Sequence, residues 1–120
     1  MKNPEEFIVF QLSHELTLMV YAITEKFPQS EQFGITSQIR RCTSSIPSNI
    51  MKGSHRLNRK EYRHFIGIAR GSAGELKYHF LLSRDLKYID ETIYLMLREK
   101  TETISKMLTK WAASLSEKKN

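Results

Sequence analysis

Apolar residues spaced by three and four recur in four long segments of this chain, and only short polar breaks separate the segments. That spacing is the helical period; a half-buried strand would need strict alternation, which no segment shows. The first stripe is Ile8, Leu12, Leu16, Met19 and Ile23, and the second is Ile39, Cys42, Ile46 and Ile50. The third runs through Tyr62, Phe65, Ile66, Ala69, Ser72, Ala73, Leu76 and Phe80. The fourth is Ile93, Leu97, Ile104, Leu108, Trp111 and Leu115, with Thr101 filling its gap. An amphipathic helix has to bury its apolar stripe, so four of them with short connections predict an all-α fold. The expected architecture is an antiparallel up-down-up-down four-helix bundle, one domain over residues 1–120.

Breakers and capping residues place the helices at about residues 5–26, 36–52, 58–85 and 90–115. Pro4 with Glu5 and Glu6 suits a helix start, where a missing donor is harmless and acids meet the positive dipole end. Phe27-Pro28 closes the first helix, because the residue before proline leaves the helical region. Thr36 or Ser37 is expected to cap the second helix, Asn58 the third and Asp90 the fourth. Pro47 lies inside the second pattern and predicts a kink near Thr43 to Ser45 within one helix. Gly53 reads as the stop of that helix. Gly67, Gly71 and Gly74 each cost about 1 kcal/mol against alanine in a helix interior. They share one stripe, so the expectation is that the second helix approaches them closely near its proline. Ser116 to Asn120 reads as a polar tail.

Charge is unevenly distributed. The net charge is +6, yet residues 40–87 hold eleven Lys and Arg against Glu61, Glu75 and Asp85, which is +8, leaving −2 elsewhere. A basic centre attracts a polyanion, since neutralising phosphates releases counterions. A solvated helical face would carry the same charges. The candidate nucleic-acid surface is the corner where the second helix ends and the third begins: Lys52, Arg56, Arg59, Lys60 and Arg63, with Arg40 and Arg70 nearby. Tyr62 and Phe65 could stack on bases, but their spacing fits core packing. Glu75 falls on an apolar, small-residue stripe, where a carboxylate needs a partner. Arg41 is the expected one, an interhelical ion pair that sets the register of the second and third helices and turns Arg40 outward.

Catalytic and metal chemistry find little footing. Glu61 and His64 have the spacing of half a di-iron site, without a second copy. His55, Glu61 and His64 invite an acid–base cleavage reading, but residues near one helix start have no enforced convergence. The reading is therefore non-enzymatic, with no metal and no cofactor. Cys42, the single cysteine, reads as a small buried side chain. The N-terminal MKNPEEF lacks a basic region leading into an apolar core, and no apolar run approaches the ~18 residues of a membrane span. A soluble cytoplasmic protein with no membrane partner is expected.

An ordered set of residues links the chain to a known family: Phe27-Pro28, Glu31, Phe33-Gly34, Gln38-Ile39-Arg40-Arg41, Ser45-Ile46-Pro47, Asn49-Ile50, Gly53, Ala69, Gly71-Ser72 and Glu75-Leu76. It resembles the bacterial four-helix-bundle proteins encoded within 23S rRNA intervening sequences. Such proteins carry Ala-Glu where this chain has Met51-Lys52, so an acid is replaced by a base here. Apolar residues beyond one seam per helix, among them Leu18, Tyr21, Tyr78 and Leu95, point to self-association; the resemblance implies a ring-shaped homopentamer. Similar proteins include the accessory factor of diversity-generating retroelements, which implies a reverse transcriptase as a partner. The function expected is binding of RNA or single-stranded nucleic acid through a basic surface, with an assembly or protein-interaction scaffold as the alternative.

Overall fold

The computed structural model describes residues 7–116. Four helices make up the fold: α1 (Ile8–Thr24), α2 (Ile35–Ser54), α3 (Arg59–Asp85) and α4 (Glu91–Ser116), with a short 3-10 turn at Gln29–Glu31 between α1 and α2. They pack as an elongated bundle of 53 × 22 × 21 Å, with no strand among the described residues. The expected start at Pro4, Glu5 and Glu6 and residues 117–120 of the polar tail lie outside the described residues, while Ser116 is the last residue of α4.

The second and third stripes form the centre as read. Ile39, Cys42, Ile46 and Ile50 of α2 and Tyr62, Ile66, Ala69, Ala73, Leu76 and Phe80 of α3 are buried. On α4, Leu97, Thr101, Ile104 and Leu108 face the core, and the Thr101 hydroxyl is satisfied by the Leu97 carbonyl at 2.8 Å. On α1 the expected Leu16 is buried and Leu12, Met19 and Ile23 pack against the edge of the core, but the most buried stripe is centred one position further on. Val9, Ser13, Leu16, Val20 and Thr24 point inward while Ile8 is 64% exposed. Apolar residues lie on several sides of α1, so periodicity does not select a unique face. Ser13 and Thr24 can turn inward because each hydroxyl donates to a carbonyl of its own helix, Phe10 at 3.0 Å and Val20 at 2.7 Å.

Asn58 and Asp90 cap as expected: their side-chain oxygens accept from the N–H of Glu61 at 2.9 Å and of Ile93 at 2.8 Å. The start of α2 differs. It begins one residue before Thr36, and the cap is the Glu31 carboxylate, which accepts from the Ile35 N–H at 3.2 Å and from the Tyr88 hydroxyl at 2.8 Å. Glu31 thereby ties the α1–α2 connection to the α3–α4 connection. Gly34 makes this possible, since a Cβ there would lie 2.5 Å from the Glu31 carboxylate.

The glycines exchange roles with respect to the sequence reading. α2 is a single helix through the buried Pro47, and it also runs through Gly53, whose φ is not positive. Gly53 is where the neighbouring helix comes close: a Cβ there would stand 2.9 Å from Tyr62 and 3.2 Å from the Phe65 Cβ. At Gly67, Gly71 and Gly74 a Cβ would meet nothing within 4 Å. These three lie on the open face of α3, so their expected packing against α2 is not what the fold uses. Polar contacts also join α2 to α3. The Cys42 thiol donates to the Ser72 carbonyl at 3.0 Å, and the Ser45 and Ser72 hydroxyls are 2.8 Å apart.

Candidate nucleic-acid interface

Arg40 and Arg41 also take positions opposite to those expected. Arg40 is held by the end of α1. Its Nε donates to the Thr24 hydroxyl at 2.8 Å, a terminal nitrogen donates to the Tyr21 carbonyl at 3.3 Å, and its guanidinium lies 4.6 Å over the Tyr21 ring. A cation at the carbonyl end of a helix is favourably placed, and desolvating two donors there is offset by the bonds made. Arg41 is exposed and has no ion pair among the described residues. Glu75 pairs instead with His79 on its own helix at 3.2 Å, and its carboxylate lies beside the Cys42 thiol. The proposed Arg41–Glu75 pair is therefore not formed. An (i, i+4) contact needs no interhelical reach, and 58% of the Glu75 side chain remains open to water, so burial does not force a cross-helix partner.

The basic corner divides into two groups. Arg59 and Arg63, in the first turns of α3, cap the last turn of α4. Arg59 donates to the Ser114 carbonyl at 2.7 Å and the Leu115 carbonyl at 3.4 Å, and Arg63 donates to the Ala112 carbonyl at 3.2 Å. The Ser114 and Leu115 carbonyls belong to the last turn, where no intrahelical donor remains, and the dipole there favours positive charge. Lys52, Arg56, Lys60 and Arg70 are exposed and form no ion pair among the described residues. Lys52, Arg56 and Lys60 gather around the α2–α3 turn. The Arg56 guanidinium lies 4.5 Å over the Phe65 ring, a cation–π contact that holds it at the exposed surface. Arg70 stands about 15 Å further along α3, from the helical rise of 1.5 Å per residue. Tyr62 is buried against Trp111 at 5.4 Å between ring centres, as core packing requires, and Phe65 is half-buried.

The histidines do not converge. His55 donates from Nδ1 to the Met51 carbonyl at 3.0 Å, and His64 sits edge-on to Phe65. No group of three or more His, Cys, Asp or Glu among the described residues is arranged to hold a metal ion. No helix among them is long and apolar enough to cross a membrane. Burial, with the Glu75 carboxylate adding to it, pushes the Cys42 thiol up to about 12.

One cluster escaped the charge-based reading. At the start of α2, Tyr21, Phe33, Thr36, Ser37, Arg40 and Arg41 line a shallow depression of about 480 Å³. Phe33 is 90% exposed there. The sequence signal for it is an aromatic beside a glycine in a loop, Phe33-Gly34, followed by the paired Arg40 and Arg41.

A solved structure from Bacteroides thetaiotaomicron VPI-5482, a protein of unknown function from the S23 ribosomal protein family, has the same fold. The TM-score is 0.82 at 23% identity, over 88% of this chain and 98% of that one. Among curated proteins none matches. The model of the 23S rRNA-intervening sequence proteins matches residues 5–110, nearly the whole of the four helices just described. With that span of agreement, the chain belongs to the 23S rRNA-intervening sequence protein family.

Proposed function

We propose that this protein is a non-enzymatic, cytoplasmic homo-oligomer that binds RNA through the basic end of α2 and α3. The observation that carries the reading is the trio Lys52, Arg56 and Lys60, exposed together with no carboxylate partner among the described residues. Uncompensated cations at one end of a rod suit a phosphate chain, and the family's description as a product of a ribosomal RNA intervening sequence fits RNA as its source. Arg70 extends the surface. Arg59 and Arg63 serve it indirectly, by closing the end of α4.

Self-association is supported by apolar side chains left in solvent, Leu18 on α1 and Leu95 on α4 at 59% and 51% exposure among them. Between these helices, a further depression of about 360 Å³ has Leu12, Leu16, Met19, Met96 and Ile104 as its apolar lining and Glu15, Glu99 and Lys100 among its polar lining. Such a face is a contact for another copy, and the ring of five that the family resemblance implies would repeat the basic trio around an axis and raise avidity. A reverse transcriptase working on the same RNA is a compatible partner.

The test is a charge reversal confined to residues whose side chains make no hydrogen bond or ion pair among the described residues: Lys52→Glu, Arg56→Glu and Lys60→Glu together. Anisotropy of a labelled single-stranded RNA is expected to show binding lost in the variant. For the wild type, about three phosphate contacts per protomer give a log–log salt slope near −2. Light scattering should report the same multimer for both proteins. Undiminished RNA binding by a folded variant refutes the reading and leaves the protein-interaction scaffold in its place.

A further inference from the structure

The α2–α3 turn holds more than charge. Gly53 lets α3 come close against α2: a Cβ there would stand 3.2 Å from the Phe65 Cβ, so Phe65 is rooted beside the turn that carries Arg56. The Phe65 ring is half-buried, with the Arg56 guanidinium 4.5 Å over it and His64 edge-on at 5.3 Å. One side of the guanidinium therefore meets an aromatic ring, while Arg56 itself stays exposed. None of its side-chain donors is taken by an acceptor among the described residues. The next residue, Leu57, is 97% exposed, the most of any large apolar side chain described.

A phosphate chain alone asks for none of this. Lys52 and Lys60, near the end of α2 and the start of α3, supply compact point charges that suffice for phosphates. A guanidinium differs from an ammonium in being planar and weakly hydrated, and it stacks on flat π systems. Unpaired RNA bases are recognised by stacking on aromatic rings and on arginine planes. In a continuous duplex both faces of each base are covered by its neighbours, so only an unpaired base can use such a surface. Glu61 shares the Phe65 face of α3 one turn earlier, yet it pairs with none of the three cations among the described residues, and the surface stays net positive.

We propose that Arg56, backed by Phe65, is a platform for one unpaired RNA base. The base lies on the open side of the guanidinium, Leu57 packs against the neighbouring ribose or base, and Lys52 and Lys60 hold flanking phosphates. This rests on the reading of the basic end as an RNA surface and narrows it: the ligand is a single strand or a loop, not a continuous duplex.

The test sets the full-length wild type against Arg56→Lys, which keeps the charge, removes the plane and, unlike Phe65→Ala, leaves the α2–α3 packing alone. Anisotropy is measured with a labelled ten-residue oligouridine and with a ten-base-pair RNA duplex at the same salt. Electrostatics alone would favour the duplex, whose charge density is higher; the wild type is expected to prefer the single strand by about tenfold. Arg56→Lys should lose about that factor on the single strand and leave duplex affinity and its salt slope unchanged. Leu57→Ser should likewise weaken the single strand only. The platform is refuted, with the RNA reading still standing, if single strand and duplex bind alike, or if Arg56→Lys either matches the wild type or weakens both RNAs equally. If neither RNA binds, or the Lys52, Arg56 and Lys60 reversal leaves binding whole, the RNA reading and the platform fall together.

Discussion

Four glycines separate the packing of this bundle from its surface, and replacing them with alanine should give effects of opposite sign. At Gly67, Gly71 and Gly74 a new Cβ meets nothing within 4 Å. Alanine there gains helix propensity and reduces the freedom of the unfolded chain, about 0.5–1 kcal/mol at each site and roughly 2 kcal/mol for the triple variant. For a domain of this size that is a rise in Tm of about 5–12 °C. At Gly53 the same gain of about 1 kcal/mol is opposed by crowding, because the Cβ would lie 2.9 Å from the Tyr62 ring and 3.2 Å from the Phe65 Cβ. Tyr62 is packed against Trp111 and cannot swing aside, and Phe65 would have to move at its root. Overpacking of that kind costs about 1–3 kcal/mol, so Gly53→Ala should be a net loss of about 1 kcal/mol and several degrees. Thermal melts and urea midpoints at several protein concentrations would separate protomer stability from assembly. A stabilised Gly53→Ala would show that the α2–α3 contact is looser than described. A triple variant that loses stability and falls apart into smaller species would place the glycine face in a subunit contact and refute its exposure to solvent.

Two further outcomes follow from buried ionisable groups. Burial pushes the Tyr62 phenol up to about 12, from an ordinary value of 10. The folded state therefore holds the proton more tightly: stability is fully present below pH ~10 and is lost as the pH rises toward ~12, through the folded value. Urea midpoints between pH 7 and 12 should decline more gently in Tyr62→Phe. At neutral pH that variant should be at least as stable as the wild type, because the hydroxyl it removes is buried without a partner; a marked loss would mean the hydroxyl is bonded. The Cys42 thiol, raised to about 12 and donating to Ser72, should resist a thiol-specific disulfide reagent in the native protein and react rapidly in denaturant. Native-state labelling at the rate of a free thiol would contradict the packing of α2 on α3.

Helix number, extent and most of the core were legible because the 3.6-residue period is written locally. Ile39, Cys42, Ile46 and Ile50 lie on one face of α2 whatever surrounds them, and Asn58 and Asp90 cap through atoms three residues away. On α1, where apolar residues cover several sides, periodicity locates Leu16 but does not separate Val9 and Val20, which are buried, from Ile8, which is exposed. The Glu31 cap was missed because it works through Gly34 and Tyr88, one of them 57 residues distant. In the candidate RNA surface, residue type located the basic corner. It could not tell Lys52, Arg56 and Lys60, which stay free, from Arg59 and Arg63, which are bound to the end of α4.

By itself, then, the sequence determined four amphipathic helices and a concentration of positive charge at the middle of the chain, since periodicity and composition need no knowledge of neighbours. Only the tertiary structure decided which arginine bonds and which stays free, which glycine admits another helix, and that Phe33, Thr36 and Arg41 share a depression. Those outcomes depend on distances of a few ångströms between helix ends far apart in the chain, and a side chain's identity is the same on either side of that distance.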